Sequence, residues 1–425
     1  MRRTVATMFC FAMMWAPGCG PSAGHNGNGG DGGHGSGSGS GDCVDEDGDG
    51  WTTCDGDCCD NTTQCANPAL VNPGAYEVPG DGVDNDCDGN IDNAVASCDS
   101  MVGGNSTSGF DYAAAIDICP STTLQGAALM SDPQRHWGLI DAQLTLADGT
   151  SMPNKKSLTI LPKYGTGMPP HNGAKLMLIS TGNAAGEGDP NYDSTLDGSM
   201  GTSSGFPADF LAANGGKLPN APGCPAHDGN TANDPVMLTL KIRVPTNAAS
   251  FSMDVNFFSS EFPKWTCSAY NDFFVVLLDS SFSGTPANPP DKNLAFYTDP
   301  SMKKYPVGVN LAAGNTGLFT ECVNGTTGCE SVLDGGVKGT ISTCTSTAEL
   351  AGTGLEQKAP LECDQNSLMG GGTGWLTTSG NVQPGEIMTL RIAIWDTSDD
   401  ALDSMAVIDN FKWSAEASMP GTVIE

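Results

Sequence analysis

The chain is 425 residues long and carries 49 Asp and Glu against 18 Lys and Arg, a net charge of −31. An acidic balance of this size excludes nucleic acid as a partner and repels anionic membrane surfaces, which leaves cations as the natural small partners. With 56 Gly, 38% hydrophobic and only 16% charged residues, the composition favours a loop-rich, mainly β chain over a helical one, with length for two or three domains.

Residues 1–18 read as a signal peptide. Arg2 and Arg3 supply the positive start, and Val5 to Trp15 supply an apolar stretch too short to span a bilayer. Ala16-Pro17-Gly18-Cys19 resembles a bacterial lipobox, which makes Cys19 the expected lipidated residue and a membrane partner through that anchor only. Ordinary cleavage to a secreted product is the alternative. Residues 19–42 follow as the lipidated Cys and a Gly/Ser tether, a flexible spacer.

Residues 43–93 form a small Asp- and Cys-rich module. Between Cys43 and Asp92 stand 13 acidic residues and no Lys, Arg or His. Asp45, Asp47 and Asp49 alternate ahead of Gly50; Asp84, Asp86 and Asp88 alternate ahead of Gly89, with Asp92 beyond. Alternating carboxylates with a Gly at the sixth position are the first half of a calcium loop of the EF-hand type, because they wrap a short segment around one hard cation. The twelfth positions are Gly56 and Val95 rather than Glu, so each loop must borrow a ligand from elsewhere or leave one to water. Calcium is the expected ion.

Asp45, Asp47, Asp49, the Asp57-Cys58-Cys59-Asp60 run, the Asn72-Pro73-Gly74-Ala75 turn with Glu77, and Asp84 to Asp92 together resemble the metal-binding motif of exported bacterial proteins, also found in a copper-associated surface protein of methanotrophs. The resemblance implies a metal site and adds Asp57, Asp60 and Glu77 to the ligands. Cys59 stands where that pattern usually has Asp. The oxygen-rich, His-free set favours calcium over copper.

Fourteen cysteines remain after Cys10 and Cys19 are set aside: six in the acidic module and eight beyond it. Both sets are even, as separately closed disulfide frameworks require, and export argues against zinc on Cys54, Cys58 and Cys59. Connectivity among the first six stays open. In the second set, order suggests Cys98–Cys119, Cys322–Cys329 and Cys344–Cys363.

From Cys98 onward the pattern changes. Ala113 to Ile118 reads as a short helix, and Trp137 to Ile140 opens the first strand. Val236, Leu238, Leu240, Ile242 and Val244 alternate with polar or long residues, and Phe251, Met253, Val255 and Phe257 repeat the period of two. Phe273 to Leu278 is continuously apolar, as a strand covered on both faces would be. Met388, Leu390, Ile392 and Ile394 alternate, and the last strand sets Ala406, Ile408 and Asn410 against Val407, Asp409 and Phe411. Residues 98–415 are therefore predicted to be a jelly-roll-like β-sandwich.

Ser260-Glu261-Phe262-Pro263 with Tyr270-Asn271-Asp272-Phe273-Phe274, and Asp399-Asp400-Ala401-Leu402-Asp403-Ser404 running into Ile408-Asp409-Asn410-Phe411, resemble the choice-of-anchor L domain of bacterial surface and secreted proteins. The resemblance spans about residues 176–413 and implies display at the cell surface or release from it. Glu261, Asn271, Asp272, Asp403 and Asp409 flank strand ends and form a candidate second cation site; turn formers bonded to backbone are the plainer alternative.

Catalytic patterns are poor. Gly201-Thr202-Ser203-Ser204-Gly205 has the letters of a nucleophile elbow without its strand–turn–helix frame. His136, His171 and His227 form no zinc-protease pattern. Trp265, Trp375 and Trp395 are expected in the core rather than as sugar platforms. The sequence thus predicts a non-enzymatic, calcium-binding surface lipoprotein of the outer membrane or cell surface, whose sandwich meets a protein or glycan ligand. An extracellular hydrolase and a structural envelope component are the competing readings.

Overall fold

The computed structural model describes residues 43–104, 106–123, 135–196, 198–227, 229–328, 339, 343–356 and 370–425. The leader, Cys19 and the tether lie outside the described residues, as do Cys329 and Cys363. Residues Cys43–Glu425 form one compact unit.

The strands are β1 (Gly138–Thr145), β2 (Leu158–Leu161), β3 (Leu176–Ser180), β4 (Ser203–Ser204), β5 (Ala232–Arg243), β6 (Ser250–Ser259), β7 (Phe273–Asp279), β8 (Phe296–Thr298), β9 (Lys304–Pro306), β10 (Gly371–Asn381), β11 (Ile387–Asp396), β12 (Ser404–Ser414) and β13 (Gly421–Ile424). Among the described residues, two short α-helices, α1 (Gly109–Ala114) and α2 (Ala208–Ala213), accompany them. One sheet runs β1-β5-β11-β7 with β4 on β5; the other runs β13-β10-β6-β12-β3-β2; β8 and β9 make a separate hairpin. All ladders are antiparallel. The expected β-sandwich is present, and β13 extends its second sheet past residue 415.

The core lies between the sheets. Val236, Leu238, Leu240 and Ile242 of β5 face Phe251, Met253, Val255 and Phe257 of β6, with Leu390 and Ile392 of β11 and Ile408 of β12 closing the layer. Burial removes this apolar area from water, the main favourable term in folding. Each sheet is also covered outside. Met237, Phe273, Val275, Leu277 and Trp395 pack under Phe206 and Phe210, the latter from α2. Leu176, Leu178, Phe258, Met405 and Val407 pack under Tyr164, Leu196 and Leu350. This double cover explains why β7 carries no polar alternation.

Three local expectations need correction. The helix spans Gly109–Ala114, earlier than Ala113 to Ile118, because Gly109 lies directly on the β1 backbone, where a Cβ would stand 2.7 Å from the Ala142 carbonyl. In β12 the register slips between Asp409 and Lys412, with Asn410 at φ 59°. That bulge turns Phe411 to the inner core beside Ala406 and Ile408, against simple alternation. Finally, Cys322 bonds Cys344. The segments run side by side, Cys322 N–H donating to the Ser346 carbonyl at 2.9 Å, which brings these two sulfurs together instead of Cys322 to Cys329 and Cys344 to Cys363. Cys98–Cys119 forms as expected, and Cys224 pairs with Cys267.

The acidic segment is docked on the sandwich. Tyr76 is buried and joins the main hydrophobic core. Its backbone N–H donates to Asn247 Oδ1 at 3.0 Å, and Asn247 Nδ2 donates to the Tyr76 carbonyl at 2.8 Å. Thr246 N–H donates to the Gly74 carbonyl at 3.0 Å, and Thr246 Oγ1 to Asn72 Oδ1 at 2.6 Å. Arg135 lies 3.7 Å over the Trp51 ring and pairs with Asp55 at 3.3 Å. Replacing Asn247 with Ala leaves two buried peptide groups unpaired, at roughly 1–3 kcal/mol each. Asn247→Ala is expected to lower the urea midpoint and to expose residues near Tyr76 to protease first.

Candidate metal centre

The acidic segment contains almost no regular structure: two 3-10 turns, Thr53–Asp55 and Pro68–Leu70, and bends elsewhere. Its shape is set by disulfides and carboxylates. Cys43 bonds Cys54, Cys58 bonds Cys87, and Cys59 bonds Cys65. All six thiols are consumed, so the donors left to a metal are oxygens.

The first loop turns on its own aspartates. Asp45 accepts the N–H groups of Gly48 and Gly50 at 2.6 and 3.0 Å, Asp47 that of Asp49 at 3.1 Å, and Asp49 that of Trp51 at 2.7 Å. Gly48 and Gly50 take φ of 82° and 92°, which L side chains rarely adopt. The Asp57–Asp60 run brings further carboxylates to this loop. Asp45, Asp47 and Asp60 bring carboxylate oxygens within 4.8 Å of one another, and so do Asp47, Asp49 and Asp57. Asp47 links the two triplets. Its Oδ2 and the Oδ2 of Asp57 are buried without a hydrogen-bond partner.

The second loop repeats the plan. Asp84 accepts the N–H groups of Asp88 and Gly89 at 3.1 and 3.0 Å. Glu77 reaches it from outside the loop, accepting the N–H groups of Asn85 and Asp86 through Oε1 and leaving a buried Oε2 unpartnered. Glu77, Asp84 and Asp86 bring carboxylate oxygens within 4.8 Å. Among the described residues, no candidate triplet draws carboxylates from both loops. Asp88 and Asp92 stand outside this triplet: Asp88 is bonded to Asn90 and Asn93, and Asp92 accepts from Gly80 and Gly82.

Burial first, then neighbouring carboxylates, push Asp49 and Asp86 up to about 6, and raise Asp47 and Asp57. Such groups accept a cation or a proton in preference to standing charged together. Oxygen donors, no imidazole and no thiolate, with buried oxygens lacking partners, fit a hard cation.

The other predicted site residues divide. Glu261, Asp272 and Asp403 collect at one end of the sandwich. Asn271 and Asp409 do not join them. Asn271 accepts the Asn310 N–H at 2.6 Å and donates its own to Thr397 Oγ1. Asp409 lies along the body of β12, accepting N–H groups from His171, Asn172 and Asn410 at 2.5, 3.4 and 2.7 Å. The reason is distance along the strand: Asp409 stands five positions past Ser404, beyond reach of the loop end. His171 Nδ1 meets Asp254 at 2.9 Å and Glu425 at 3.6 Å on the same face, a pairing no sequence spacing marked. Ser203 sits exposed on an edge ladder opposite Asn233, not at a strand-to-helix elbow. Trp395 is buried, while Trp265 and Trp375 are half-buried.

Burial pushes Asp409 up to about 7 and Asp117, which faces it, up to about 6. In the unfolded chain both titrate near ~3.9. Between about pH 4 and pH 7 the folded state therefore holds more protons, so stability falls as pH rises through that window. Urea midpoints measured in chelator are expected to be higher at pH 5 than at pH 8. Asp117→Asn should shrink the difference.

Comparison with curated proteins and with solved structures gives no match. Residues 66–93 match the model of the Cu-binding MopE metal-binding motif, which covers the Glu77–Asp84–Asp86 triplet. Residues 144–411, more than half the chain and nearly the whole sandwich, match the choice-of-anchor L domain. Two sheets that close a common core and a family model that spans them lead to one assignment: the chain belongs to the choice-of-anchor L domain family, whose members are exported or surface-associated proteins.

Proposed function

We propose that the chain is a surface-anchored, non-enzymatic protein that holds calcium structurally in residues 43–93 and presents its sandwich for adhesion or ligand binding, with a glycan as the ligand class. Cys19 carries the lipid anchor at the outer membrane or cell surface. The observation behind this reading is a cleft of about 420 Å³ at the seam between the acidic segment and the sandwich. Tyr76, Trp137 and Trp413 line it together with Glu77, Asp92 and Asp117. Trp137 and Trp413 are half-buried and meet edge to face at 6.1 Å. Aromatic faces beside carboxylate acceptors are what a sugar ring needs, apolar contact on one side and hydroxyl bonding on the other. Glu77 also belongs to the second carboxylate triplet, so cation binding would set one wall of the cleft.

The test is glycan-array binding of the full chain with calcium and with EDTA. Binding that vanishes in EDTA and in Trp137→Ala supports the reading. Hydrolysis of a chromogenic glycoside or ester would overturn it in favour of an extracellular hydrolase, and self-association without ligand would favour a structural envelope role. Membrane recovery lost on Cys19→Ser checks the anchor; unchanged recovery removes it.

A further inference from the structure

A second group of carboxylates sits at one end of the sandwich, away from the acidic segment. It is built by strand register. Ser404 pairs with Ser259, so Asp403, just before β12, lies beside Ser260 and Glu261, just after β6. Trp395 pairs with Phe273, so Asp396, at the end of β11, lies opposite Asp272, just before β7. Both sheets thus deliver acids to the same end. The side chains of Asp272 and Asp396 lie beside each other, Glu261 lies beside the Asp272 backbone N–H, and Thr181 Oγ1 reaches Asp272 Oδ2 at 3.4 Å. Asp399, in the loop between β11 and β12, adds its field to all three.

These groups are not surface acids. Glu261, Asp272, Asp396 and Asp403 are 1, 0, 2 and 3% exposed. Glu261 Oε2, Asp272 Oδ1 and Asp396 Oδ1 are buried with no hydrogen-bond partner. Among the described residues, no Lys, Arg or His forms an ion pair with Glu261, Asp272 or Asp396. Gly182 lies so close that a Cβ there would overlap the Asp403 carboxylate. Several ionised carboxylates without a counter-charge are not tolerated in a protein interior; they share protons or they hold a cation.

We propose that this end of the sandwich is a buried binding site for one hard divalent cation, held by Glu261, Asp272 and Asp396 with Asp403 beside them. The donors are oxygens from both sheets, the chemistry of calcium, magnesium or manganese rather than of copper or zinc. Bound there, the ion neutralises the acids and clips the ends of β6, β7, β11 and β12 together. The site is independent of the acidic segment and of any ligand in the cleft.

The experiment counts metal per chain after equilibrium dialysis of the full protein against calcium, magnesium or manganese, and follows amide hydrogen exchange with and without chelator. Wild type, Asp272→Asn and the double variant Asp47→Asn with Asp86→Asn are compared. The expected result is that Asp272→Asn binds one equivalent fewer of one of these ions, whereas the double variant keeps that equivalent. Chelation of wild type should speed exchange at residues 260–274 and 394–405 at least tenfold. If Asp272→Asn does not fold, Glu261→Gln and the wild-type exchange data decide alone. An unchanged metal count, or exchange at these strand ends that ignores chelation, overturns the proposal and assigns the acids to shared protons.

Discussion

Chelated protein is expected to open between Cys43 and Asn93 while its sandwich stays folded. The segment holds 13 acidic residues and little apolar burial beyond Trp51, Val71, Ala75 and Tyr76. Its three disulfides limit how far it can spread but do nothing against like-charge repulsion. A cation that binds only the folded form contributes RT ln(1 + [L]/Kd), roughly 3–4 kcal/mol when free ion exceeds Kd by about 100- to 1,000-fold. Limited proteolysis and hydrogen exchange, with calcium and then with EDTA, read the effect directly. Cleavage should appear at residues 60–70 and 80–92 in EDTA and stop when calcium returns. Glu77→Gln removes one carboxylate of the second loop's triplet, and Asp47→Asn removes the residue common to both triplets of the first. Each should shift the calcium midpoint at least tenfold and make only its own loop sensitive. Equal protection in EDTA and calcium would show that disulfides and docking alone hold the segment.

Trp395→Ala is expected to be among the most destabilising single changes in the sandwich, at about 3–5 kcal/mol. Trp395 is fully buried on the outer face of the first sheet. It stacks on Phe273 at 6.1 Å and meets Phe206 and Phe210 at 5.8 and 6.5 Å. Truncation leaves a cavity and also releases α2, whose Phe210 packs there. Chemical denaturation should show a lower midpoint, and ANS fluorescence should rise as α2 lifts. Ile387→Ala is the control: Ile387 opens the same strand but is 38% exposed, so its loss should stay within about 0.5 kcal/mol. Similar losses at the two positions would mean that α2 and the Phe206 loop contribute little.

The strands were legible because their signal is local. A period of two in β5, β6 and β11 follows directly from one buried face, and the unbroken apolar run of β7 from two. What failed was long-range or backbone-borne. The bulge that turns Phe411 inward depends on Asn410 reaching φ 59°, which side-chain patterning does not encode. The start of α1 depends on Gly109 lying against β1, a contact made by a missing side chain. Among site residues, each half-loop announced its own aspartates through spacing, but Asp57, Asp60 and Glu77 came only with the motif resemblance. Asp396 drew no notice and Asp399 stood only within the motif resemblance; nothing in Asp396-Thr397-Ser398-Asp399-Asp400 says that β11 ends against β7. The one available signal was a carboxylate directly after the apolar run Ile392 to Trp395, where burial carries over. Asn247 gave no signal, since its role exists only once Tyr76 arrives 171 positions away.

The burial of Tyr76 in the core of the sandwich bears on inheritance. A segment whose aromatic plugs its neighbour's interior cannot be exchanged among chains like a bead on a thread. Recombination at residues 94–97 would leave a hole in the recipient and a greasy stub on the donor. Substitutions at Tyr76, Thr246 and Asn247 should therefore travel together through descent, and chimeras should remain soluble only when all three come from one parent.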